Sequence, residues 1–140
     1  MGLFCMDKKI EIKEWIEYAK RDFNSAIFLK NMNPAPMEII CYHCEQSAEK
    51  FLKAFMILKD EQIMRTHDLV LLLHKCMIYE KEFNDIKQEC VNLTKYGTIT
   101  RYPYFYEISR DDMDKAIIDC EKIIDFIENK INNYYEKSKE

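Results

Sequence analysis

Between Met37 and Leu58 the residues His43, Gln46 and Lys50 recur at i, i+3 and i+7, and Lys53 continues their edge. On a helix those positions share one face. Arg65 and His67 stand just before the apolar run Leu69 to Leu73, and Arg101 and Tyr102 stand in a stretch crowded with aromatic side chains. Where the turns that carry them open on the same end as the polar face, the set forms a small cationic and aromatic hollow. Arginine offers phosphate a planar fork and lysine a point charge, while imidazole is a tunable donor and a tyrosine ring is a plane on which a base can stack. Two readings stay open at this level. One is a nucleotide or phosphate site; the other is a solvated helix face beside a loop that lids the core or a subunit contact.

Other chemistries are excluded by what is missing. Gly2 and Gly97 are the only glycines, so neither a phosphate-binding P-loop, nor a G-x-G-x-x-G dinucleotide turn, nor a G-x-S-x-G nucleophile elbow can be written. A di-iron bundle needs Glu three residues before His, but Ile40, Met64 and Leu71 precede His43, His67 and His74 at that spacing. Cys41, His43 and Cys44 could supply zinc ligands together with His67. Positions 41 and 43 of one helix, however, point about 200° apart at ~100° per residue. No metal and no cofactor is expected.

The elements that must position these residues are helices. With two glycines and three prolines in 140 residues there is too little punctuation for a turn-rich all-β chain. Ile12, Trp15, Ile16, Ala19, Phe23, Ala26 and Ile27 recur at three and four and predict a first helix over about Ile10 to Asn31. Pro34 and Pro36 end it, and Pro36 opens a second helix, Met37 to Leu58, which must return antiparallel because the link is short. Thr66 is the expected N-cap of a third helix with Asp68 in its first turn. That helix is apolar on several sides and so is expected to run through the centre. A fourth helix is expected from Asn84 to Tyr96, stopped by a left-handed Gly97. Thr98 to Ile108 fits no period. Ser109 and Asp112 then make a capping box for a last helix carrying Met113, Ile117, Cys120, Ile124, Ile127 and Ile131.

The expectation is therefore an all-α, five-helix up-and-down bundle forming a single domain over residues 1–140, with 1–9 and 136–140 frayed. A chain of this length, 48% hydrophobic and 33% charged, can bury a core without staples. The net charge of −4 gives no overall attraction to duplex DNA or anionic lipid. No apolar run is long enough to span a bilayer, and no leader pattern precedes the six cysteines, so a cytoplasmic protein with reduced thiols is expected.

Four stretches, in this order, resemble HEPN domains of the kind associated with minimal nucleotidyltransferases: Trp15 to Leu29, Tyr42 to Phe55, His67-Asp68-Leu69 followed by Leu71-Leu72, and Thr100 to Pro103. The most specific piece is H-C-x-Q-x-A-E-K-x-L-K, from His43 to Lys53. The resemblance implies a five-helix bundle, commonly a homodimer, that binds a nucleotide or RNA. It also implies work beside a minimal nucleotidyltransferase as a toxin and antitoxin pair. On that basis the ligand residues are expected to be His43, Gln46, Lys50, Lys53, His67, Arg101 and Tyr102. Many HEPN proteins are metal-independent ribonucleases that use Arg and His about four to six residues apart. Here no His follows Arg101 or Arg110, and Arg65 precedes His67 by two positions and His74 by nine, so that motif is absent. A binding module is therefore favoured over an enzyme. The alternatives are a ribonuclease toxin in which His67 and Arg101 meet in space, and a structural adaptor.

Overall fold

A computed structural model describes residues 2–99 and 107–138. Every regular element among them is helical: α1 (Gly2–Leu29), α2 (Met37–Leu58), α3 (Leu69–Tyr79), a 3-10 stretch (Lys81–Ile86), α4 (Lys87–Thr94), a single turn α5 (Tyr96–Ile99) and α6 (Arg110–Lys137). Five of these helices have eight residues or more.

The α1–α2 hairpin is the most extensive pairing in the bundle. Small residues allow its close approach: Ala19, Ala26, Ser47 and Ala48 are fully buried, and Ser47 Oγ donates to the Ala19 carbonyl across the seam at 2.8 Å. The central element is α2 rather than α3, because α2 is flanked by α1, α3, α4, α5 and α6 and carries buried residues on almost every side. On α3 only Leu69, Leu72, Leu73 and Cys76 are buried, while Ile78 is 71% exposed, so its apolar run covers the core from outside.

Several boundaries differ from the sequence expectation, each for a physical reason. The first helix begins at Gly2 and the last reaches Lys137, so the termini expected to fray are largely helical. Lys8 pairs with Asp60 at 3.0 Å and Lys9 lies over the Tyr135 ring, which ties the start of α1 to the α2–α3 turn and to the end of α6. The cap of α3 is Asp68, whose Oδ1 accepts from the backbone amides of Val70 and Leu71; Thr66 instead accepts from the Asp68 amide. The fourth helix is broken into the 3-10 stretch, α4 and α5. Gly97 lies inside α5 and does not adopt the left-handed conformation. The capping box of α6 is present as expected, with Asp112 N to Ser109 Oγ at 3.1 Å and Ser109 N to Asp112 Oδ2 at 3.0 Å. Those hydrogen bonds lower the Asp112 carboxyl below its ordinary range.

Cys41, Cys44, Cys76, Cys90 and Cys120 are free thiols within the core, and burial raises Cys41 and Cys90 to about 12, far from the thiolate that disulfide exchange needs. No helix among the described residues is long and apolar enough to cross a membrane.

The 3-10 stretch is held by Phe83, which is fully buried between Phe55 and Phe126 at ring distances of 4.5 and 5.1 Å. Truncation here removes both ring contacts and leaves a cavity. Phe83→Ala is expected to lower unfolding stability by about 3–5 kcal/mol in urea titration. A loss under ~1 kcal/mol would show that this stretch is not packed as described.

Candidate functional site

The polar face of α2 is a wired seam. His43 Nδ1 lies 2.9 Å from Asp22 Oδ1 on α1, and Lys50 Nζ lies 2.5 Å from the other oxygen, Oδ2. Farther along, Glu49 repeats the arrangement: Oε1 takes His67 Nδ1 at 2.8 Å and Oε2 takes Lys53 Nζ at 3.0 Å. A carboxylate only accepts, so both imidazoles carry a proton on Nδ1 and turn Nε2 away from the acid. The Glu49 side chain is 6% exposed and that of His67 55%, so a buried acid presents an imidazole to solvent.

From the first cluster the hydrogen bonds run on through Gln46 to Glu45. Lys50 Nζ donates to Gln46 Oε1 at 3.4 Å, and Gln46 Nε2 donates to Glu45 Oε2 at 3.0 Å. Glu45 stands one turn from Glu49, whose charge opposes a second one there. Burial, more than the neighbouring Glu49, raises the Glu45 carboxyl to about 8, so at neutral pH it is mostly protonated and can donate. The other Glu45 oxygen, Oε1, is buried and accepts from no group.

Glu45 also explains Gly97. A methyl group added at Gly97 would come within 2.8 Å of Glu45 Oε2, so any other residue there would force the buried Glu45 carboxyl to shift. Cys41, one turn before Glu45, hydrogen-bonds with Tyr96. Positions 41, 45, 49 and 53 are one ridge of α2. The first half of that ridge seats α5, and the second half holds Lys53 and His67.

His43, Gln46 and Lys50 are thus brought into one hydrogen-bonded cluster and Lys53 and His67 into another, but not into a bare cationic hollow. Each of their charged groups rests on Asp22 or Glu49. His43 lines a groove of about 630 Å³ with Arg21, Asn24, Ser25, Phe28 and Leu29, and His67 is not part of it. Lys50 lines a second groove, of about 400 Å³, with Glu11, Glu14, Trp15 and Tyr18. Arg101, Tyr102 and the rest of the aromatic segment lie outside the described residues. Among the described residues no three metal-ligating side chains gather.

Asp22, Glu45, Glu49 and the α1 wall of the His43 groove were not anticipated. Glu49 to Lys53 is the favourable acid-then-base spacing of a helix, and that was its one legible signal. Asp22 meets His43 from 21 residues away, and only the register of the hairpin brings the two together.

The HEPN domain family model matches residues 12–130. The chain belongs to the HEPN domain family. It is similar to ST0689, an archaeal HEPN homologue of solved structure, at 26% identity over 86% of this chain and 97% of that one, with a TM-score of 0.67. The Thermus thermophilus protein TT1696 shares the fold, with 24% identity, coverage of 85% and 97% and a TM-score of 0.70. No curated protein matches the chain in sequence.

Alanine normally stabilises a helix relative to glycine by about 0.5–1 kcal/mol. Gly97→Ala is expected to do the reverse, costing about 1–3 kcal/mol through overpacking on Glu45. In a Glu45→Ala background the same change should become neutral or favourable, which a double-mutant cycle of denaturation midpoints would register. Additive effects would mean that the two positions do not touch.

Proposed function

We propose that this chain is a nucleotide- or phosphate-binding HEPN module of the cytoplasm, acting as a homodimer beside a minimal nucleotidyltransferase in a toxin and antitoxin pair. The observation that carries the ligand part of this reading is the groove at His43. It combines an imidazole fixed by Asp22, the Arg21 guanidinium, the amide and hydroxyl of Asn24 and Ser25, and a Phe28 ring that is 74% exposed. That is the equipment for a phosphate, a sugar edge and a stacked base. The seam is charge-balanced, so it selects by geometry more than by bulk attraction. Gln46, Lys50, Lys53 and His67 support the fixed imidazoles, and Arg101 and Tyr102 extend the set by sequence. Membership in the family supports the partnership, whose direct test is co-purification with a nucleotidyltransferase encoded beside it.

A ribonuclease reading has one observation in its favour. His67 is presented by the buried Glu49 in the way a general base is oriented, with Nε2 outward.

Thermal shift against ATP, GTP, AMP and short single-stranded RNA tests both readings. A ligand at 100 times its dissociation constant is expected to add about 2.7 kcal/mol, and His43→Ala or Arg21→Ala should remove that gain. No shift with any of the four, or a shift that survives both substitutions, would overturn the proposal. Cleavage of the RNA, lost in His67→Ala, would establish the ribonuclease instead.

A further inference from the structure

The buried acid at Glu45 has a role that ligand binding does not require. Its side chain is fully buried, Oε1 has no partner, and Oε2 lies where a Cβ at Gly97 of α5 would come within 2.8 Å. Among the described residues, Glu49 and Lys50 of α2 act on its charge and Gln46 donates to its Oε2; one turn earlier Cys41 faces Tyr96 and Lys95 of the α4–α5 junction and Asp112 of α6, which with Lys115 line a small cleft. Lys50, the cation nearest in the hydrogen-bonded seam, is already held by Asp22 at 2.5 Å. Glu49, the nearest acid, already holds Lys53 and His67. A second negative charge beside Glu49 therefore has no free counter-charge on α2, and it can be hydrated only if one wall of its site moves.

The walls differ greatly in strength. α2 has 22 residues and packs on five neighbouring helices, whereas α5 is a single turn of four residues. We propose that Glu45 is a proton-operated latch: its neutral carboxyl keeps the Tyr96–Ile99 turn seated on α2, and its ionised form releases that turn. Release exposes Glu45 to water, and the charge it then carries stands one turn from Glu49, the acid that holds His67. The linkage has a definite sign. A carboxyl raised from 4.5 to about 8 in the folded protein contributes stability that is full below pH ~4.5, falls through the interval and is gone above about 8. The folded protein can escape that loss locally by unseating α5, which is cheaper than global unfolding.

The latch does not depend on the ligand reading and can be tested on the free protein. Gly97 is one of two glycines, so its Cα and Hα signals are readily assigned and do not exchange with solvent. Carbon-13 spectra of wild-type protein between pH 6 and 9.5 should show the Gly97 Cα signal moving from its helical position toward the coil value. The midpoint should match that of the Glu45 Cδ signal in the same samples, and the ratio of released to seated turn should rise by up to tenfold per pH unit. In Glu45→Gln, which keeps an acceptor for Gln46 but cannot ionise, Gly97 should stay at one position across the range. The latch is overturned if Glu45 Cδ titrates while Gly97 stays fixed, if Glu45 titrates in the ordinary carboxylate range, or if Gly97 moves equally in Glu45→Gln. Because the first two outcomes are read on wild-type protein, the test stands even where the variant folds poorly.

Discussion

The arrangement of this bundle depends on burying an acid in its central helix. The Glu49 side chain is 6% exposed, and an isolated carboxylate at that depth would be too costly to keep ionised. It survives because one oxygen takes Lys53, itself nearly buried, and the other takes His67. Those contacts fix what surrounds them. His67 must sit at the base of α3, which locates the α2–α3 turn. Burial raises the carboxyl of Glu45, one turn earlier on α2, and its side chain lies close against Gly97. That glycine belongs to the single turn α5. The buried charge pair is poor evidence of stability in itself, but it specifies which segments can meet α2 and where.

The Asp22 cluster repeats the same logic nearer the surface. One acid divides itself between an imidazole and a lysine and so staples α1 to α2 at a polar point in an otherwise apolar seam. In both clusters the acid fixes Nδ1 and leaves Nε2 to face outward. The HEPN fold here therefore presents two oriented imidazoles rather than a field of free cations, which is consistent with a formal net charge of −4. Beside His43 the groove adds Arg21, held over the Tyr18 ring at 4.9 Å, and an exposed Phe28 ring.

Much of the scaffold was legible in the sequence. The span of α2, the hairpin with α1, the Ser109 capping box and the buried stripe of α6 follow from periodicity and turn chemistry, which are local. The cap at Asp68, two residues on from Thr66, was also a local matter, and there an acid's stronger capping bonds won. What could not be read was tertiary. Gly97 looked like a helix stop because glycine usually is one, yet its smallness serves the contact with Glu45. The leucines of α3 suggested a central helix, but hydrophobicity does not say which side a helix covers the core from. The cations at 43, 50, 53 and 67 were recognised on their own helix and the turn after it, while Asp22, the partner that neutralises two of them, lies across the hairpin. A face that looked basic in one dimension is balanced in three.

The claim that most needs direct measurement is that Asp22 and Glu49 each hold an imidazole by Nδ1. Long-range proton–nitrogen NMR of nitrogen-15-labelled protein, recorded where the imidazoles are neutral, distinguishes the two tautomers of each histidine. His43 and His67 are expected to be protonated on Nδ1 with a bare Nε2, and His43 should lose this preference in Asp22→Asn and His67 in Glu49→Gln. Proton residence on Nε2 in the wild-type protein, or rapid exchange between the two nitrogens, would contradict it.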